Sequence, residues 1–357
     1  MLKIGIIGCG KQADAHATPI QEIGECEIIG VCDKEELMAK QLAERYKVRR
    51  YYSDINELLG TDRPDIVHIT TPPQSHFEIG KICLENGCHV LFEKPFALNH
   101  DEVETLIGIA KEKNVKLTVG HNNQFNHSAR RMRDLVKSGF LGGRPVHMES
   151  IFCYDLGDPG FAKAFLGDKS HWVRKLPGKL LHNIISHGIS KIAEFMYTES
   201  PKVIACGFTS PFLLGINQSD IIDELRVIVH DSDSTTAYFT FSSTMSPKLH
   251  QFRLYGPTNS LFVDYSQETL IKARKANYKS YLRNFIPPVV DAKQYLANAG
   301  NNIKKFIRAD FHMESGRKIL IESFYKSVLD NEPLPIPYRE IILTSRIMDS
   351  IFRQIYP

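Results

Sequence analysis

The stretch Leu2-Lys3-Ile4-Gly5-Ile6-Ile7-Gly8-Cys9-Gly10-Lys11-Gln12-Ala13 decides how the chain folds. Its apolar half is short enough for a buried strand, and Gly8, Gly10 and Ala13 complete the pattern G-x-G-x-x-G/A at the head of a helix-forming run. Glycines at this spacing let the chain turn tightly and bring backbone N–H groups close to a pyrophosphate, whose charge then lies at a helix N-terminus. A lone glycine pattern also marks plain turns, so its surroundings must decide.

Four more apolar runs, at 28–32, 65–70, 89–93 and 115–119, repeat the form of the first. Between them lie amphipathic stretches at 35–46, 75–86 and 102–113, with Gly87 as a stop and Asn99 and Glu102 as a capping box. Strands alternating with helices predict an α/β domain of Rossmann type, a doubly wound parallel sheet. Asp33 ends the second strand, 20 residues after Ala13, where a carboxylate can accept hydrogen bonds from the adenine ribose. We therefore expect a dinucleotide at Gly8, Cys9, Gly10, Lys11, Gln12, Ala13 and Asp33. A carboxylate repels a 2′-phosphate, which favours NAD, while Lys34 beside it leaves NADP open.

At 357 residues the chain is long enough for about two domains and a sizeable core. Apolar residues make up 43% and charged residues 24%, which argues against a disordered or fibrous chain. The formal net charge of +3 does not point to nucleic acid. Seven cysteines without a paired C-x-x-C spacing suggest neither a disulfide framework nor a zinc site, and a reducing cytoplasm is the expected compartment. The N-terminus shows no leader pattern, and no apolar run approaches a membrane span.

Beyond a connecting helix at 127–138 the pattern changes. Alternating or β-branched runs at 145–153, 202–208, 225–230, 235–241, 250–255 and 260–264 predict a largely antiparallel sheet. One long helix at 179–196 interrupts them, and helices at 316–330 and 339–354 close the chain. The expected organisation is a dinucleotide-binding domain at 1–122 and an α+β domain at 123–357.

Thr70-Thr71-Pro72-Pro73, His76 and His89-Val90-Leu91-Phe92-Glu93-Lys94-Pro95 resemble the oxidoreductases of the Gfo/Idh/MocA family. The likeness continues through Gln124-Phe125, Gly139-Phe140-Leu141-Gly142 and Pro335-Ile336-Pro337. It implies an NAD(P)-dependent dehydrogenase or reductase that moves a hydride to or from a carbinol carbon of a sugar, sugar nucleotide or cyclic polyol. It further implies a second domain that binds substrate and serves oligomerisation, hence a homo-oligomer. Thr70, Thr71, Pro72, His76, Glu93, Lys94 and Asn122 join the expected cofactor contacts, with Lys94 and Asn122 also reaching substrate. Lys94 falls at a strand's carboxyl end, where open α/β sheets take ligands, and an ammonium there can stabilise an alkoxide-like oxygen. The resemblance also makes the bond before Pro95 cis.

The second constellation, Gly178-Lys179-Leu180-Leu181-His182-Asn183-Ile184-Ile185-Ser186-His187, resembles the family's glycine-rich helix start. Residues four apart share a helix face, so Asn183 and His187 face together, with Leu180, Lys191 and Glu194 continuing the stripe, while His182 points elsewhere. Leu181, Ile184, Ile185, Ile189 and Ile192 form the opposite, buried side. An imidazole suits proton exchange near neutral pH. Asn183 stands where many relatives carry Asp; an amide orients a hydroxyl but is no base, which leaves the proton to Lys94 and His187. His16 reads as a packing and hydrogen-bonding residue. His121 can reach substrate or serve structure. Cys83 and Cys88 lack partners for a metal, and none is expected.

Two rival readings keep the fold: a glycoside hydrolase that oxidises its sugar transiently with held NAD, and a non-catalytic dinucleotide sensor. The resemblance leaves 272–308 unexplained. Nine basic residues and one acid, Asp291, give it +8 and leave −5 for the rest of the chain. Tyr278, Tyr281, Leu282 and Phe285 follow helical spacing beside Lys275, Lys279 and Arg283. A solvated helical insert accounts for this; attraction of an anionic substrate and contact with anionic membrane lipid remain open.

Overall fold

The apolar runs of the first third become a six-stranded parallel sheet in the computed structural model, which describes residues 1–156, 165–231, 235–308 and 315–356. Its strands are β1 (Leu2–Ile7), β2 (Cys26–Cys32), β3 (Tyr51–Tyr52), β4 (Ile66–Ile69), β5 (His89–Phe92) and β6 (Leu117–Val119), in the order β3-β2-β1-β4-β5-β6. The order reverses between β1 and β4, and open sheets of this kind take ligands beyond the carboxyl ends at that point. Strands β1, β2, β4, β5 and β6 are buried along most of their length, as in a sheet wound with crossover helices.

The crossovers are α1 (Lys11–Gln21), α2 (Glu36–Tyr46), α3 (Ile55–Thr61), α4 (His76–Glu85) and α5 (His100–Glu112). The expected cap of α5 forms: Asn99 Oδ1 accepts the Glu102 N–H at 2.9 Å, and Glu102 Oε2 accepts the Leu98 N–H at 2.9 Å. The two-residue β3 and the short α3 lay below what periodicity resolves.

The second sheet has seven strands: β7 (His147–Cys153), β8 (Lys202–Phe208), β9 (Glu224–His230), β10 (Thr236–Ser242), β11 (His250–Tyr255), β12 (Asn259–Asp264) and β13 (Thr269–Arg274). Their order is β13-β12-β11-β7-β10-β9-β8, and only β7 with β10 runs parallel. Its helices are α6 (His127–Lys137), α7 (Lys179–Ile184), α8 (Ser186–Phe195), the one-turn α9 (Pro211–Gly215) and α10 (Leu282–Ile307). The chain closes with α11 (Ser315–Leu329) and α12 (Tyr338–Ile355).

Three expectations need correction. The helix expected at 179–196 is two helices, because the chain tightens at Ile185, whose carbonyl accepts the Gly188 N–H three residues on at 2.9 Å. The residues from Lys272 begin in an edge strand, not a helix, with Lys272 opposite Leu261; Tyr278 precedes α10. The chain also divides differently. One compact unit comprises 1–122 and 317–346, the other 123–316 and 347–357. Residues 317–346 join the first unit because Ile321, Phe324 and Tyr325 share a core with Ile4, Ile6, Ala13 and Ala17.

Phe324 is fully buried in that core, so Phe324→Ala should cost about 3–5 kcal/mol in urea unfolding. Hydrogen exchange should quicken in β1 and α1 at the same time; a change confined to residues of the second unit would contradict this placement.

Candidate active site

Gly8 follows β1 with φ +95°. A Cβ there would stand 2.7 Å from Thr71 N and 2.9 Å from the Thr70 carbonyl carbon, so the backbone conformation and the close approach to the chain after β4 both demand glycine. The Thr70 hydroxyl is a tie of the same kind, donating to the Gly8 carbonyl. Gly10 caps α1 without a side-chain bond, and a Cβ on it would meet no atom within 4 Å. Lys11 and Gln12 are exposed, whereas Cys9 and Ala13 are buried. Asp33 Oδ2 accepts the Cys9 N–H at 2.7 Å and Oδ1 accepts the Glu35 N–H at 3.0 Å. The carboxylate therefore shapes the loop, and its remaining lone pairs can still accept ribose hydroxyls. A close-approach glycine, open space at a helix N-terminus and a half-buried acid after β2 together fit a dinucleotide.

Two expected cofactor contacts are engaged elsewhere. The His76 ring is fully buried, with Nε2 2.8 Å from the Thr71 carbonyl and Nδ1 3.1 Å from the carbonyls of Pro95 and Phe96. It pins the β4 and β5 ends to each other, and burial lowers its pKa despite those carbonyls. Glu93 is only 4% exposed. Its Oε1 lies 2.9 Å from His16 Nε2 and 3.7 Å from Arg317 Nη2, while Oε2 accepts the Lys94 N–H at 2.9 Å. Thr71 and Asn122 are half-buried and Pro72 is exposed.

Around Glu93 stands a buried polar chain that the sequence does not disclose. A carboxylate only accepts, so His16 Nε2 donates to Glu93. His16 Nδ1 and His68 Nδ1 are 2.8 Å apart and share one proton, and His68 Nε2 is 2.8 Å from the Tyr325 hydroxyl. Burial would raise the Glu93 carboxyl, yet the hydrogen bond and charge of His16, with Arg317 and Lys94, hold it well below the usual carboxylate range. Burial pushes His68 well down and Tyr325 well up. His16 thus takes the packing and hydrogen-bonding place read from the sequence. Arg317, His68 and Tyr325 carry no local signal, since each gains meaning only from the fold.

Lys94 is half-buried at the carboxyl end of β5, followed by a cis bond to Pro95. Burial lowers its pKa and Arg317 lowers it further, while Glu93 pulls it back up. His121 after β6 is buried, and burial together with the Lys94 charge brings its pKa to about 3, so it is a neutral imidazole at ordinary pH. The group at these strand ends is thus one ammonium, one guanidinium, one carboxylate and one neutral ring.

In the second unit, Asn183 and His187 are half-buried while the residues from Leu180 to Ala193 around them are buried. The two side chains belong to consecutive helices. His182 is turned away as expected, stacked on Phe352 at 5.0 Å. A Cβ on Gly178 would overlap that same Phe352 ring, which explains the glycine before α7. The expected stripe does not continue, however. Leu180 is buried, and Glu194 is gripped by Arg133 through both oxygens and by Gln124 Nε2 at 3.0 Å. Lys191 is 1% exposed, with Nζ 2.6 Å from His250 Nε2 and 3.5 Å above the Tyr265 ring. Burial drives both Lys191 and His250 well below their usual pKa values.

A parallel sheet of this order with a close-approach glycine loop defines an NAD-binding Rossmann unit. Residues 2–121 match the model of the Gfo/Idh/MocA family, described as an oxidoreductase family with an NAD-binding Rossmann fold. Over 142 residues the chain is 31% identical to D-glucoside 3-dehydrogenase of Escherichia coli K12, an alignment covering 40% of each. Over 149 residues it is 31% identical to UDP-N-acetylglucosamine 3-dehydrogenase of Acidithiobacillus ferrooxidans, covering 42% of this chain and 44% of the relative. These matches thus span less than half the length of the curated relatives. Across 99% of the chain the fold is shared with the WlbA dehydrogenase of Bordetella pertussis, solved with NADH and UDP-GlcNAcA, at a TM-score of 0.80, 15% identity and 95% coverage of that chain.

A depressed carboxyl pKa stabilises the folded state above the unfolded value of about 4.3 and loses that contribution as pH falls below it. Glu93→Gln should therefore flatten the acid limb of urea midpoint against pH. An unchanged limb would remove the Glu93 cluster as its source.

Proposed function

We propose that the protein is an NAD-dependent oxidoreductase acting on a CH–OH or carbonyl carbon of a sugar, sugar nucleotide or cyclic polyol. One observation carries this reading: Lys94, half-buried, stands at the carboxyl end of β5 with its pKa lowered by burial and by Arg317 and pulled back up by Glu93. When bound, the nicotinamide supplies the hydride acceptor or donor. Lys94 holds the substrate oxygen by a charge-assisted hydrogen bond and stabilises the negative charge that develops on it. His187 exchanges the hydroxyl proton, and Asn183 orients a substrate hydroxyl as donor and acceptor. Asn122, half-buried after β6, contributes amide contacts to cofactor or substrate. The sugar and sugar-nucleotide names of the relatives support the substrate class.

NAD rather than NADP follows from Asp33 at the end of β2. All seven cysteines are free thiols, which supports a cytoplasmic setting. Exposed Ile204, Ile228 and Tyr238 on the second sheet support self-association of that sheet face.

The direct test is a panel of sugars, polyols and nucleotide sugars offered with NAD and with NADP, reading net NADH formation. Sugar release without net NADH would favour the hydrolase, and cofactor binding with no turnover would favour the sensor. On a confirmed substrate, Lys94→Ala should lower kcat about 10²-fold or more with NADH affinity nearly unchanged. His187→Ala should lose about 10²-fold, and Asp33→Ala should narrow the preference for NAD. Unchanged turnover in Lys94→Ala would overturn the assignment.

A further inference from the structure

The helix α10 is built inside out. A helix on a globular domain usually turns its apolar stripe to the core and its polar side to water. In α10 the side against β13 is a ladder of amides. Gln294 accepts the Lys272 N–H at 2.9 Å and donates to the Lys272 carbonyl at 3.2 Å. Asn298, the buried residue of the helix, does the same for Leu270 at 3.3 and 3.0 Å, and Asn302 donates to the Gln267 carbonyl at 2.9 Å. Spaced four apart, these amides cover the free edge of the sheet.

The opposite side faces solvent and is apolar. Phe285, Val289, Leu296, Ile303 and Ile307 follow one stripe at helical spacing, and Phe285, Leu296 and Ile307 are 64%, 73% and 76% exposed. The helix has 26 residues, about 39 Å of axis. Lys293 and Lys304 border the stripe, Lys275 and Lys279 precede the helix, and Asp291 is the only acid from 272 to 308. No helix of the described residues is long and apolar enough to cross a membrane.

We propose that α10 is an interfacial helix that lies on anionic phospholipid, its apolar stripe among the acyl chains and its lysines at the headgroups. Charge complementarity selects this occupant. A second copy of the helix would cover the stripe but would bring a second set of cations with a single acid, Asp291, to set against them. An anionic bilayer meets both the apolar face and the charge, and polar-face lysines beside aromatic and aliphatic side chains are what such helices carry. The inference does not rest on the proposed chemistry; it would place an enzyme of that kind at a membrane surface.

The full chain should be sedimented with vesicles of phosphatidylcholine alone and of equal parts phosphatidylcholine and phosphatidylglycerol. The bound fraction should be about tenfold or more higher on the anionic vesicles at low salt and fall as salt is added. Phe285→Glu with Leu296→Glu, and separately Lys293→Glu with Lys304→Glu, should each cut binding about tenfold or more. All four positions are exposed, so unfolding temperature and NADH binding should stay as in the parent. Equal sedimentation on both vesicles, or no loss in either double variant, overturns the proposal. So does self-association in sedimentation velocity that Phe285→Glu with Leu296→Glu abolishes while vesicles are not bound, since a second copy would then be the occupant.

Discussion

The Glu93 carboxylate is the interaction on which the first unit turns. Taking a carboxylate out of water costs several kcal/mol unless charges and hydrogen bonds replace the solvent. Here the replacements come from His16 in α1, the Lys94 backbone after β5 and Arg317 in α11. One buried charge therefore ties segments far apart in sequence, and it explains why 317–346 belongs with the cofactor domain. It also sets the state of Lys94. Burial and Arg317 both disfavour the ammonium, and Glu93 favours it. Glutamate before the lysine thus tunes the group next to it.

That distinction separates what was legible in the sequence from what was not. Strand runs, the capping pair at Asn99 and Glu102, and the glycine loop are local, so periodicity and spacing disclose them. The family likeness named Glu93 and His76 as cofactor contacts because a motif records which residues occur together without recording what each one touches. In the fold both are engaged inward, His76 by three carbonyls and Glu93 by its cations. His68, Tyr325 and Arg317 had no pattern to find. A histidine inside a β-strand and a tyrosine in a late helix become one hydrogen-bonded chain only when α11 returns to the first core.

In the second unit, helical arithmetic stops at the break between α7 and α8. Asn183 and His187 are each partly exposed on consecutive helices, and His182 turns inward onto Phe352. Beyond Ile185 the axis is no longer that of α7, so extrapolation to Lys191 and Glu194 placed a buried lysine and a half-buried, ion-paired glutamate on an accessible face. Nothing in the residue type gave warning, because lysines are almost never buried. Lys191 is tolerated by a neutral His250 acceptor and the Tyr265 ring, partners supplied by β11 and the turn after β12.

The helix α10 shows the reverse failure, in which the pattern was seen and its direction was not. Helical spacing of aromatic and aliphatic residues reads by default as a face that packs inward. A sheet edge, however, offers unpaired N–H and C=O groups, and a side-chain amide, with a donor and an acceptor side by side, can satisfy both at once. Gln294 and Asn298 do so, which commits the polar side of the helix to the protein and turns the apolar side outward. Once that side is fixed, the charge must be read along with it: a total of +3 conceals +8 in 272–308 and −5 elsewhere. The same residues on an inward-facing helix would describe an ordinary core element. It is the amide ladder on β13 that makes them a surface.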